Sequence, residues 1–223
     1  VVDVKSRLQE LTGFPVQVGN DANVAALGES WVGGGKGCDN MVLATFGTGV
    51  GGGIIVDGKQ VCGVHGGGGE IGHMVIESRE ETYCNCGKRG CVEQFCSATG
   101  IVRLTKKRLE QPGESVLRGK PEFTCKDVFD AAEGGDTLAR EVLEQVYDYI
   151  GQFLANICCV VDPERIVLGG GVSRAGQPLL SGVKNAFGRY VYHASESVRF
   201  SLATLGNDAG AWGAFKLILE ETQ

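Results

Sequence analysis

The chain is predicted to fold as an α/β unit, a sheet with helices packed on its faces, and two observations predict it. Short apolar runs of strand length alternate with longer segments whose apolar residues recur at helical spacing. The 36 glycines gather between those runs and follow no fixed period, so they punctuate turns and exclude a solenoid or collagen-like repeat. A length of 223 residues is enough to bury a substantial core.

The elements follow in order. Val4, Leu8 and Leu11 give an opening helix, residues 15–18 a strand, and residues 22–30 a helix. Residues 41–46 and 53–56 read as strands, and Asp57-Gly58 is the turn signal that folds the chain back into 59–61. After a glycine-rich loop, 74–76 reads as another strand, 83–91 as a cysteine-bearing loop, and the sequence from Val92 onward as helical. Pro112, Gly113, Gly119 and Pro121 mark 113–123 as loop. Helices are expected at 125–132 and 136–159, the second with Leu138, Val142, Val146, Ile150, Phe153 and Ile157 along one side. Residues 165–168 then read as a strand, 169–171 as a turn and 178–190 as a helix. A last strand near 198–202 and a turn at 206–208 precede a closing helix to about residue 220.

Composition narrows the function classes. Twenty-one basic against 27 acidic residues give a net charge of −6, which makes nucleic acid a poor partner, since phosphate backbones demand concentrated Lys and Arg. No run reaches the ~18 apolar residues of a membrane helix, and the amino terminus lacks a signal-peptide pattern. A soluble, cytoplasmic protein with no membrane partner is expected. The nine cysteines are an odd count, and Cys158 and Cys159 lie in an apolar run, so reduced thiols plus a metal site suit them better than disulfides. The sequence opens on Val1 and enters directly into a helical pattern, which suggests that something upstream is missing.

The most specific local signal is His73 with Cys84, Cys86 and Cys91, a C-x-C-x4-C run with one histidine. Tetrahedral Cys3His zinc sites use this set, and four protein ligands leave no open position for water, so the metal would be structural. Ordinary reduced cysteines in a turn are the plainer alternative, and Cys96 is a rival ligand.

Asn20-Asp21-Ala22-Asn23 sits at a predicted strand-to-helix junction, where α/β proteins place reactive side chains. Asp21 is thus a possible general base, while either Asn20 or Asp21 equally suits a helix cap. Gly47 to Gly53, with Thr48 among them, can cradle a phosphate or simply permit a tight turn, and Gly169-Gly170-Gly171 carries the same ambiguity. Glu70 lies three residues before His73 and Glu93 two after Cys91, so a metal fixing those ligands fixes both glutamates; solvated surface charge is the commoner fate of either.

Taken together, Asn20-Asp21-Ala22-Asn23-Val24-Ala25-Ala26-Leu27-Gly28-Glu29, Gly47 to Gly53, Gly69-Glu70-Ile71-Gly72-His73, Cys84 to Glu93, Leu168 to Ser173 and Leu205 to Gly210 resemble the ROK family of bacterial sugar kinases and repressors, its glucokinases above all. The resemblance implies an actin-like ATPase (ribonuclease H-like) fold of two lobes that converts glucose and ATP to glucose 6-phosphate and ADP. By the same carry-over Asp21 is the base for the sugar 6-hydroxyl, and Asn20, Glu70, His73 and Glu93 bind the sugar. Thr48 and Gly49 would contact ATP phosphates and Gly170 and Gly171 the adenosine, with Mg alongside ATP. Zinc on His73, Cys84, Cys86 and Cys91 would be structural, and a homo-oligomer is expected.

One departure stands out: the family's Asp-x-Gly-Gly-Thr phosphate loop does not occur in these residues. Residues 1–38 would then be a remnant of the small lobe, 39–206 the large lobe with its zinc loop at 73–91, and 207–223 a helix returning toward the small lobe, and the isolated chain is expected to bind zinc but to turn over poorly, lacking half its ATP cleft. The resemblance leaves two alternatives, the sugar-sensing part of a repressor and an N-acetylhexosamine or fructose kinase.

Overall fold

A computed structural model describes residues 2–221. Its sheet is built around β1 (Met41–Phe46), which pairs antiparallel with β2 (Val50–Val56) and parallel with β4 (Arg165–Gly169). A short β3 (Lys59–Gln60) continues the antiparallel side and β5 (Arg199–Leu202) the parallel side, giving the order β3-β2-β1-β4-β5.

Successive side chains on a strand point to opposite faces, and this alternation sorts the core into two layers. Met41, Leu43, Ile55 and Val167 pack with Ala26 and Leu27 of α2 (Asp21–Val32) on one face. Val42, Ala44, Phe46, Ile166 and Leu168 face the other way, into a larger core that includes Val146, Ile150, Phe153 and Ile157. Those four lie on α6 (Thr137–Val161), which is capped by the Asp136 side chain on the Ala139 N–H and ends at Asp162 in the left-handed region (φ 46). Helices α3 (Glu93–Cys96), α4 (Ala98–Leu109), α5 (Cys125–Glu133) and α7 (Gln177–Phe187) complete that layer. The opening helix α1 (Val4–Thr12) buries none of its residues.

On the first face α2 packs against α8 (Ala209–Glu221) at very short range. A Cβ on Gly28 would overlap the Ala209 carbonyl, and one on Gly213 would overlap the Val24 carbonyl. Trp31 and Trp212 meet edge to face at 6.0 Å beside this crossing. The two helices run antiparallel at this contact, with the start of α8 beside Gly28 and Gly213 beside Val24.

Several predicted elements are corrected. Residues 15–18 form no strand, because a strand needs a ladder partner and none pairs with this segment among the described residues. Residues 74–76 make a single antiparallel bridge, Val75 to Cys91, since the cysteine loop supplies only one opposing residue there. β2 starts at Val50, not Gly53, so Gly51, Gly52 and Gly53 belong to the ladder, opposite Thr45, Ala44 and Leu43. Their lack of side chains admits close neighbours: a Cβ on Gly53 would overlap Ala26, and one on Gly52 would overlap Ile71. The helix after Val92 breaks at Ser97, whose hydroxyl caps α4 on the Gly100 N–H. Residues 171–175 form a 3-10 turn, and α7 stops at Phe187, short of residue 190.

Candidate functional site

The cap at the start of α2 is supplied by Asn20. Asn20 is extended (φ −65, ψ 142), and its side-chain oxygen accepts the Ala22 and Asn23 N–H groups at 3.0 and 3.2 Å. With the cap supplied by Asn20, Asp21 is the first helical residue, exposed, its carboxylate accepting the Ala22 N–H at 2.8 Å. Both line an open cleft of about 550 Å³ that is also lined by Gly49, Glu70, His73, Glu93, Gly170 and Asn207.

The other wall is made by the hairpin and the cysteine loop. Glu93 opens α3, and its Oε2 accepts the Val50 N–H at 3.1 Å, which ties the carboxylate to the turn between β1 and β2. A Cβ on Gly49 would run into that same carboxylate, so glycine there makes room for Glu93. Glu70 sits at the end of the glycine loop, with its Oε2 4.0 Å from His73 Nε2. That loop is anchored from α2: the buried Asn23 donates from Nδ2 to the Gly68 carbonyl at 2.9 Å.

His73, Cys84, Cys86 and Cys91 converge, with one ligand atom from each lying within 4.8 Å of the others. Cys84 Sγ is 3.8 Å from His73 Nδ1, and Cys86 Sγ is 3.6 Å from Cys91 Sγ. A zinc–sulfur bond of ~2.3 Å in tetrahedral geometry puts ligands about 3.8 Å apart, so the spacing and the donor set fit zinc. Nδ1 is the nitrogen turned to the thiols, leaving Nε2 for the cleft side with Glu70. Burial pushes the Cys91 thiol up to about 12, while the backbone N–H of Lys88 lowers Cys86. A divalent cation would convert such thiols to thiolates on binding. Cys96, the rival ligand, is fully buried in the apolar core and lies outside this cluster; burial pushes its thiol up as well.

The cleft continues past Thr45, Gly170 and Asn207 into a second hollow of about 410 Å³, lined also by Glu29, Gly171, Ser173 and Arg174. Gly170 has φ 80, and a Cβ there would overlap the backbone of Phe46, so the two ends of β1 and β4 meet through a residue that must be glycine. Of the sequence-predicted residues, Asn20, Asp21, Gly49, Glu70, His73, Glu93 and Gly170 share one cleft and Gly171 its extension. Thr48 is exposed at the hairpin turn, where its carbonyl accepts the Thr99 hydroxyl at 2.9 Å, and it lines neither hollow. Asn207 was given no role from the sequence; its place just before α8 was the available signal.

A further hollow of about 700 Å³ lies beside the cysteine loop and contains none of the predicted site residues. Arg103 there pairs with Glu80 at 3.0 Å, and its Nε and Nη2 donate to the Gln94 carbonyl at 3.3 and 3.0 Å. Burial raises Glu80, but the Thr82 N–H and the Arg103 guanidinium outweigh it and bring the carboxyl down to about 2. Gln94 in turn accepts the Cys91 N–H, so this ion pair buttresses the cysteine loop.

Residues 1–221 match the ROK family. The chain belongs to the ROK family. A glucokinase of Halalkalibacterium halodurans is 44% identical over 223 residues, covering 98% of this chain and 68% of that relative. The crystal structure of a ROK family glucokinase from Streptomyces griseus in complex with glucose and AMPPNP superposes with a TM-score of 0.80 at 32% identity, covering 96% of this chain and 71% of that one. A ROK hexokinase from Thermus thermophilus gives a TM-score of 0.85 at 31% identity, over 98% and 71% of the two chains. As a ROK protein the chain has the actin-like ATPase fold, with its five-stranded sheet at the centre. No helix among the described residues is long and apolar enough to cross a membrane.

Proposed function

We propose that the chain acts as an ATP-dependent hexose kinase on glucose, transferring the γ-phosphoryl group to the 6-hydroxyl. The observation that carries this reading is the shared cleft, in which an exposed helix-start carboxylate, Asp21, lines the same space as Glu70, His73 and Glu93. Carboxylates accept hydrogen bonds from sugar hydroxyls, an imidazole holding a metal through Nδ1 donates its Nε2–H to one, and Asn20 adds an amide at the rim. In the proposed roles these four orient the hexose and Asp21 takes the hydroxyl proton as the oxygen attacks phosphorus. Gly49, at the turn into β2, brings backbone close to the phosphates, with Thr48 beside it, and Gly170 and Gly171 flank the adenosine. Positioning and charge stabilisation are the main requirements of such a transfer, with Mg supplied alongside ATP.

Zinc held by His73, Cys84, Cys86 and Cys91 would lock the imidazole ring and the approach to Glu93, so that both face the sugar before it arrives. A compartment that keeps the nine free cysteines reduced, the cytoplasm, suits that site. The division into a small-lobe remnant at 1–38 and 207–223 around a large lobe at 39–206, and assembly into a homo-oligomer, belong to the same proposal.

ADP release coupled to a colour reaction, with and without glucose, tests the reading on this chain and on an amino-terminally extended one. Release that depends on glucose is expected from the extended chain. Glucose-independent ATP hydrolysis in both, or no ADP release from either across a panel of hexoses, overturns it.

A further inference from the structure

Glu29 is the most completely buried carboxylate described, 1% exposed, and neither the reaction nor the metal loop uses it. Its Oε2 accepts the Gly34 N–H at 2.6 Å, and its two oxygens accept the Thr204 N–H at 3.1 and 3.2 Å and the Leu205 N–H at 2.9 Å. A buried carboxylate held by backbone N–H groups alone is costly to assemble, so its placement calls for a reason beyond packing. The chain makes room for it: a Cβ on Gly33 would overlap Oε2, and the Gly34 carbonyl is in turn held by Arg165 at 2.8 Å and Ser201 at 2.9 Å.

What Glu29 holds lies at the junction of the two hollows. Thr204 and Leu205 lead directly into the 3-10 turn Gly206–Asp208, whose Gly206 and Asn207 line both the sugar-side cleft and its extension beside Gly170. Glu29 also lines the extension itself, and not the sugar-side cleft. Two turns of α2 separate it from Asp21 on the same helix. One rigid element thus carries Asp21 at one end and, at the other, a clamp on the wall of the nucleotide half.

We propose that Glu29 is a positioning residue for the nucleotide: by clamping Thr204 and Leu205 it fixes the Gly206–Asn207 wall against which an adenine nucleotide docks. This rests on the kinase reading above. The amide in Glu29→Gln keeps the shape but turns a donor toward N–H donors, so the clamp loses at least one of its bonds.

The test measures ADP and glucose binding separately by calorimetry, with hydrogen exchange of the 204–208 amides, in the native chain, Glu29→Gln and Glu29→Asp. The expected result is at least a tenfold weaker ADP Kd, glucose Kd within twofold of native, and lost protection confined to 204–208. Should Glu29→Gln not fold, Glu29→Asp, which retains the charge but falls one methylene short, carries the same expectation. Equal weakening of both ligands, or unchanged ADP affinity in a folded variant, makes Glu29 a merely structural group and overturns the proposal. A native chain that binds no adenine nucleotide would instead strike the kinase reading, and the proposal with it.

Discussion

Replacing Asp21 with asparagine separates catalysis from folding, because the cap of α2 rests on its neighbour. Asn20 Oδ1 takes the Ala22 and Asn23 N–H groups, so the helix start survives Asp21→Asn, and the amide oxygen of the new side chain can still accept the Ala22 N–H. What is lost for stability is one negative charge at a helix amino terminus, at most about 1 kcal/mol and screened at an exposed position. For a chain of this size that lowers Tm by roughly 2–4 °C. The loss in turnover is of another order: removing a general base costs roughly 10²–10⁴-fold, which is about 3–5 kcal/mol of transition-state stabilisation. Asn20→Ala should show the reverse balance, with about 1 kcal/mol lost from folding and a raised KM for sugar. The assay is ADP release at saturating glucose beside thermal melting of each variant. Turnover by Asp21→Asn within tenfold of the native protein would refute the assignment of Asp21 as base, whatever its Tm.

Metal analysis of protein prepared without chelator should find zinc, and Cys91→Ser should lose it together with glucose affinity; zinc-free protein that binds glucose normally would reject the site. Gly213→Ala forces a methyl group into the Val24 carbonyl, so α2 and α8 must separate, and a loss of about 1–3 kcal/mol is expected from the urea midpoint. The folded-state pKa of Glu80 lies near 2, below its ordinary 4.5, so its contribution to stability is present above 4.5 and fades as pH falls toward 2. Melting curves across that window should fall more steeply for the native protein than for Glu80→Gln; parallel curves would show that Glu80 is not the cause.

The parts of the fold that were legible in the sequence are those that local chemistry decides. The periodic apolar face of α6, the Asp57-Gly58 turn and the runs of β1 and β4 each follow from spacing within one segment. The convergence of His73 with Cys84, Cys86 and Cys91 was equally readable, because these residue types are chemically rare and His73 lies only eleven residues before Cys84. Residues 15–18 and 74–76 were misread for the opposite reason: strand character depends on a partner supplied by distant chain, and local pattern does not report it.

The glycines of β2 join these two cases. Read locally, Gly47 to Gly52 is a loop, yet Gly51 to Gly53 are ladder residues, and the missing side chains of Gly51 and Gly53 let α2 lie almost on the sheet, with Ala26 against Gly53 and Ala22 3.0 Å from the Cβ position of Gly51. That close seat is what brings Asp21, one residue before Ala22, to the turn at Gly49 and so to Glu93. A side chain at Gly53 would push α2 off the sheet and carry Asp21 away from the glutamates without touching the cleft. The glycine run therefore acts on the cleft mainly through packing, by fixing the distance between the two walls, and the proposed phosphate contact involves only its turn at Thr48 and Gly49. Gly53→Ala should accordingly weaken turnover and stability together, whereas a change confined to phosphate binding would leave the melting temperature unmoved.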